Sequence, residues 1–233
     1  RIGMIDTGVT KHPMLKGTAT EARSFLGNGP SPTAHGTAIA SLLASNGSSK
    51  IVAASVFRGD TTQPFTSADA LIQALEWLVE RDVAVINISL AGPRNAILDA
   101  LIRRSIKSGH AIVAAAGNGG PTAPPAYPAA VPGVVAVTAV DQQSHVYRYA
   151  NQGQYISFAA FGVGVPAAAP DGRVAGFTGT SFATPFVATV LARCANTLKK
   201  DALSACIRGM ERTARDLGTP GRDNIYGHGL IGG

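Results

Sequence analysis

At 233 residues, with 45% hydrophobic and only 15% charged side chains, the chain carries enough apolar material for one sizeable core and too little charge for a disordered segment. Its 20 Lys and Arg outnumber 14 Asp and Glu, but the excess is scattered. The densest basic stretches, Arg103/Arg104/Lys107 and Lys199/Lys200, fall on or beside predicted helices and read as solvated faces, so no nucleic-acid partner is implied. No apolar run approaches the ~18 residues of a membrane span, so no membrane insertion is expected of this segment.

The chain opens with Arg1 directly on an apolar strand-like run, which suggests a processed form. Arg1–Asp6, Ile51–Phe57, Val83–Ser89, Ala111–Ala116 and Val134–Val140 are near-continuous apolar runs bounded by Gly, Pro or Asp, as suits parallel strands covered on both faces. Between them, Ser67–Glu80 reads as an amphipathic helix with Ala68, Leu71, Leu75 and Leu78 on one stripe. Asn95–Ser108 reads as another, with Ile97, Leu101 and Ile102 inward, Asn95 as N-cap and Gly109 as the stop. A Pro- and Ala-rich loop spans Pro121–Pro132. Tyr155–Phe177 reads as short strands or hairpins turning at Asp171-Gly172. A long helix is expected from near Ser181 to Leu198 and a shorter one over Ala202–Arg212. The βαβ series predicts an α/β fold, a single-domain three-layer α/β/α with a mostly parallel twisted sheet. Cys194 and Cys206 make neither a disulfide scaffold nor a metal site. One bridge, contributing about 3 kcal/mol on the chain-entropy model, and two buried thiols both remain open readings.

Three separated segments each hold one residue of an activated-nucleophile system: Asp6-Thr7-Gly8 at the end of the first strand, His35-Gly36-Thr37 at a helix start, and Gly179-Thr180-Ser181 before the long helix. A serine hydroxyl is a weak nucleophile at neutral pH and needs a neutral imidazole to take its proton. The imidazolium that forms needs an anion at its other nitrogen, and Asp6 stands at the carboxyl end of a buried parallel strand, where α/β sheets gather their sites. The oxyanion needs preorganised donors. Asn118, on the turn Gly117-Asn118-Gly119, and the Ser181 backbone N–H at a helix N-terminus supply them. A nucleotide-binding reading of that turn fails, because the third glycine of the fingerprint is missing and proline follows where a helix must start.

Asp-Thr-Gly, His-Gly-Thr, Gly-Asn and Gly-Thr-Ser-Phe-Ala-Thr-Pro, in that order, resemble the subtilase family of serine peptidases. The match runs from Arg1 to the Tyr-Gly-His-Gly-Leu-Ile segment at 226–231. The resemblance implies a subtilisin-like fold and a secreted endopeptidase that needs no cofactor. It makes Ser181 the nucleophile, His35 the general acid and base, Asp6 the orienting carboxylate and Asn118 the oxyanion donor. Its implied partners are an extended polypeptide substrate and, before maturation, the enzyme's own prosegment. Substrate is expected to lie as a strand between Gln63–Thr66 and Ser89-Leu90-Ala91. The side chain before the cleaved bond is expected in a pocket formed by Ser89, Leu90, Ala91, Gly92, Ala116, Gly117 and Ala126. Ala91 and Ala126 stand where relatives often carry Gly, so small or medium side chains are expected there.

Other departures bear on metal binding and packing. His12-Pro13 is followed by Met14 rather than an acidic residue, and Ser45–Ser49 is short for a calcium loop, so the family's common calcium site is expected to be absent. Phe186 stands where a histidine is common. His12, His110, His145 and His228 lack metal-ligand spacing and read as surface or turn histidines. Two rival functions are a catalytically silent, subtilase-like peptide-binding module and the acid-active sedolisin group, which uses Glu as the base. The intact four-residue set speaks against the first, and His35 speaks against the second.

Overall fold

Nine strands and five α-helices alternate along the residues described by the computed structural model, 1–27, 33–45, 50–59, 65–198 and 203–232. In chain order they are β1 (Ile2–Asp6), β2 (Ala19–Ser24), α1 (Ala34–Ser45), β3 (Lys50–Ser55), α2 (Ala68–Glu80), β4 (Val85–Ile88), α3 (Ala96–Lys107), β5 (Ala111–Ala115), β6 (Val135–Val140), β7 (Ile156–Phe161), β8 (Val165–Ala168), β9 (Val174–Phe177), α4 (Thr180–Leu198) and α5 (Leu203–Thr213). Seven strands form one parallel sheet in the order β2-β3-β1-β4-β5-β6-β7, and β8 and β9 form an antiparallel hairpin. The α/β three-layer expectation holds.

The apolar runs are continuous because both sheet faces are covered. Ile2 and Met4 of β1 point to one face, where they meet Ile39 and Leu43 of α1 and Val187 and Leu191 of α4. Ile5 alternates to the other face, with Leu75 and Leu78 of α2 and Leu101 and Ile102 of α3. Helix α4 is apolar nearly all round because it lies between the sheet and α1 and α5. Cys194 of α4 and Cys206 of α5 are bridged, which closes the question left open by the sequence.

Several local expectations need correction. β2 carries no apolar run, since its residues Ala-Thr-Glu-Ala-Arg-Ser form an exposed sheet edge that pairs with β3 through backbone alone. The buried stripe of α2 is Ala70, Ala74, Leu75, Trp77 and Leu78, with Ala68 and Leu71 displaced to its margin. Ile97 of α3 is 68% exposed rather than inward, and the buried face is instead Leu98, Leu101 and Ile102, with Asn95 capping the helix by accepting from the Ile97 and Leu98 N–H groups. His145 is exposed, but His12 and His110 are buried. His12 accepts from Met14 N–H through Nδ1 and reaches the Arg173 carbonyl through Nε2, and His110 Nδ1 bonds the Val83 carbonyl. Lys199/Lys200, the start of the second expected C-terminal helix at Ala202, and residues 46–49 of the short loop lie outside the described residues.

Candidate active site

Asp6 ends β1, is almost wholly buried, and stands at the carboxyl edge of the sheet. Its Oδ1 accepts from the Thr7 backbone N–H at 2.7 Å and lies 2.8 Å from His35 Nδ1. Against a carboxylate oxygen Nδ1 is the protonated nitrogen, which leaves the lone pair on Nε2. Burial of His35 disfavours the imidazolium, but the charge of Asp6 and its hydrogen bond outweigh that effect and raise the pKa above the ordinary 6.5.

The Asp-Thr-Gly and His-Gly-Thr segments are interlocked. Gly36 N–H donates to Thr7 Oγ1 at 2.8 Å, and Thr10 N–H donates to Thr37 Oγ1 at 3.0 Å. A Cβ on Gly36 would stand 2.5 Å from the carbonyl oxygens of both Thr7 and Gly8, so this approach of helix to loop requires glycine. The ring of Phe182, the residue after Ser181, packs on His35 at 5.1 Å between centroids and is backed by Phe177 of β9.

Ser181 is the second residue of α4. Its hydroxyl donates to the Ser89 carbonyl at 3.0 Å, and among the described residues it makes no hydrogen bond to His35 Nε2. The helix itself explains why Ser89 is so close. Pro185, four residues on, has no N–H for the Ser181 carbonyl, and the Ser89 hydroxyl fills that vacancy at 2.9 Å while accepting from Asn87 Nδ2 at 2.8 Å. One side chain thus ties the helix bearing Ser181 to the segment after β4.

The Asn118 amide is oriented from its carbonyl end. Oδ1 accepts from both the backbone N–H and the hydroxyl of Thr180, each at 3.0 Å. Nδ2 is left facing Gly179, 3.2 Å from where a Cβ on that residue would stand. The Ser181 N–H lies in the first turn of α4, where a helix has no acceptor of its own to offer. Asn118 Nδ2 therefore faces the residue two before Ser181, and the Ser181 N–H has no acceptor within its helix.

The residues expected to line one specificity pocket divide into two groups. Leu90, Ala91 and Gly92 border a cavity of about 280 Å³ together with Phe57, Thr66, Leu71 and Tyr127. Gly92 and Tyr127 join its walls through reciprocal backbone bonds of 2.8 and 3.0 Å. Ala116, Gly117 and Ala126 stand apart from this cavity. Ala126 is close against the turn, its methyl 3.0 Å from where a Cβ on Gly117 would lie. Of the expected edge segment Gln63–Thr66, Phe65 pairs with Arg58, whereas residues 63 and 64 lie outside the described residues.

Thr7, Thr37 and Thr180, given above only as members of their motifs, brace this site together with Asn87 and Asn151, which no motif contains. Asn87 carried a signal, as a polar residue inside a buried apolar strand. Asn151 carried none. Among the described residues no three His, Cys, Asp or Glu side chains gather as a metal site.

A family model described as the Subtilase family matches residues 1–229. Similar curated proteins include the Thermostable alkaline protease of Halalkalibacterium halodurans, 30% identical over 99% of this chain and 65% of its own length, and Subtilisin BL of Lederbergia lenta, 30% identical over 99% and 88%. The Minor extracellular protease Epr of Bacillus subtilis is 27% identical over 99% of this chain and 37% of its own length, so the chain spans less than two thirds of the first and third of these relatives. In fold it resembles the Prenylagaramide maturation protease PagA and a lanthipeptide protease, each with a TM-score of 0.82 at 23% identity, over 99% of this chain and 89% and 84% of theirs. Motif order, sheet topology and whole-length family match agree: the chain belongs to the subtilase family of serine proteases.

Proposed function

We propose that residues 1–233 are the catalytic domain of a serine endopeptidase that cleaves extended polypeptides through an acyl-enzyme on Ser181. The observation that carries this reading is the Asp6–His35 contact of 2.8 Å, which leaves His35 Nε2 unprotonated, in a site where Thr180 holds Asn118 Oδ1 and leaves Nδ2 facing Gly179.

The chemistry follows from these placements. A substrate strand pairing with Ser89-Leu90-Ala91 brings its own main-chain N–H to the Ser89 carbonyl. That releases the Ser181 hydroxyl to turn to Nε2. As Oγ attacks the scissile carbonyl carbon, Nε2 takes the hydroxyl proton and Asp6 stabilises the imidazolium. The carbonyl oxygen becomes an oxyanion between Asn118 Nδ2 and the Ser181 N–H. Collapse breaks the C–N bond, and the imidazolium passes its proton to the departing amine. Water then repeats the sequence on the ester, giving its proton to His35, and Ser181 leaves with that proton restored.

Ala91 and the methyl of Ala126 beside Gly117 support a preference for small or medium side chains before the cleaved bond. The 280 Å³ cavity suits a bulkier apolar side chain elsewhere on the strand. The prosegment, by the same logic, occupies this cleft before maturation. The Cys194–Cys206 bridge fits an oxidising, extracellular setting, and no helix among the described residues is long and apolar enough to cross a membrane.

A fluorophosphonate probe tests the nucleophile. It is expected to label the protein and to lose labelling in Ser181→Ala. Absence of labelling in the unmodified chain would favour the peptide-binding module, and an activity optimum near pH 4 would point to the carboxylate-based sedolisin chemistry.

A further inference from the structure

The oxyanion turn is gripped by a residue far from every motif. We infer that Asn151 is a positioning residue for catalysis, acting through Asn118; the inference rests on the function proposed above. Asn151 is 3% exposed and lies in the loop between β6 and β7. Its backbone N–H donates to the Gly117 carbonyl at 3.0 Å, and its Oδ1 accepts from the Gly119 N–H at 2.7 Å. The residue immediately before Asn118 and the one immediately after it are therefore both fastened to the same side chain and backbone. Its Nδ2 donates to the Pro124 carbonyl at 3.1 Å, which pins the far arm of the loop.

The turn needs such a grip. Gly117 sits at φ +106, a conformation that side chains rarely adopt. A Cβ there would strike the Asn151 amide at 2.8 to 2.9 Å, so the two residues are packed without slack. Thr180 orients the Asn118 side chain and takes the Gly117 N–H at 3.2 Å, but it leaves the Gly117 carbonyl and the whole Gly119 side of the turn unheld. Asn151 holds these from behind. An oxyanion donor works only within a few tenths of an ångström of its station, so a shift of this turn is felt in the transition state more than in substrate binding.

The test is a double-substitution cycle on the whole chain, read as kcat and KM on one peptide substrate. Asn151→Ala is expected to lower kcat about ten- to a hundredfold, less than the ~10²–10³ that an oxyanion amide supplies, with KM changed less than about threefold. In an Asn118→Ala background the same substitution is expected to cost less than about threefold, because the group it positions is already gone. Asn151→Ser, which leaves the backbone bond to Gly117 and room for a bridging water, is expected to give a smaller loss with the same non-additivity. Equal losses in both backgrounds, unchanged kcat in the single variant, or loss of the cooperative melt in both Asn151 variants would overturn the inference. If Asn118→Ala alone leaves kcat unchanged while Ser181→Ala abolishes it, the assignment of Asn118 fails instead.

Discussion

The oxyanion turn and the rim of the substrate cleft lie on the same edge of the sheet but are built on opposite principles. The turn at 116–120 is pinned on three sides, by the buried Thr180 from α4 and Asn151 from the loop before β7, and by the half-buried Tyr155, whose hydroxyl donates to the Ala116 carbonyl at 2.8 Å. The rim, of which residues 57–59 and 65–66 are described, is joined by the Arg58–Phe65 bridge, with the Arg58 guanidinium over a Phe65 ring that is 52% exposed. Buried bonds between side chain and backbone have few alternatives and hold one geometry. Exposed contacts contribute little each and are free to differ. On the function proposed above, the chemistry falls to the first kind and substrate selection to the second.

Breaking the buried part should cost most. Asp6→Asn is expected to lower turnover by about 10⁴, since the amide no longer selects the productive tautomer and charge of His35. The same pair sets the pH response. The base acts as neutral imidazole, so kcat/KM should rise with pH along a limb whose midpoint lies above 6.5 in the unmodified chain, because Asp6 favours the inactive protonated ring. In Asp6→Asn burial is left without its opponent and the midpoint should move to lower pH. A midpoint that stays in place would mean that His35 is not the titrating base.

Ser89, which ties the helix bearing Ser181 to the segment after β4, should give an intermediate effect. Ser89→Ala strips the Ser181 carbonyl of the donor that Pro185 cannot supply and leaves Asn87 Nδ2 without its acceptor. Each buried group so orphaned costs about 1–3 kcal/mol. A lower melting temperature and about tenfold slower turnover are expected. Unchanged melting and turnover would show that the Ser89 hydroxyl is dispensable to α4.

A methyl beside the turn should yield least, and in preference rather than rate. Ala126→Gly removes a methyl beside Gly117, and cleavage after large side chains relative to small ones should rise about tenfold, the scale of one methylene in an apolar pocket. A cleavage-site profile identical to the unmodified chain would remove Ala126 from the pocket.

Much of this was legible in the sequence for identifiable reasons. The core strands announce themselves because burial on both faces demands unbroken apolar runs, and Ser67 and Asn95 mark helix starts because orphan N–H groups need a local acceptor. Asp6, His35, Ser181 and Asn118 are visible because each sits in a short segment whose neighbours are constrained by close backbone approach, as the 2.5 Å limit at Gly36 shows. β2 was not legible, because an exposed edge strand that bonds through backbone asks nothing of its side chains. Nor was the role of Asn151, whose partners are carbonyl and amide groups 27 to 34 residues earlier and leave no trace in its own neighbourhood. The sequence by itself determined the family and the alternation of strand and helix, and it supplied the reacting groups proposed above, since these depend on local pattern and residue type. Only the tertiary structure decided which buried side chains hold those groups, that Cys194 meets Cys206, and that the Ser181 hydroxyl rests on Ser89, because such contacts are made between segments that chain order keeps apart.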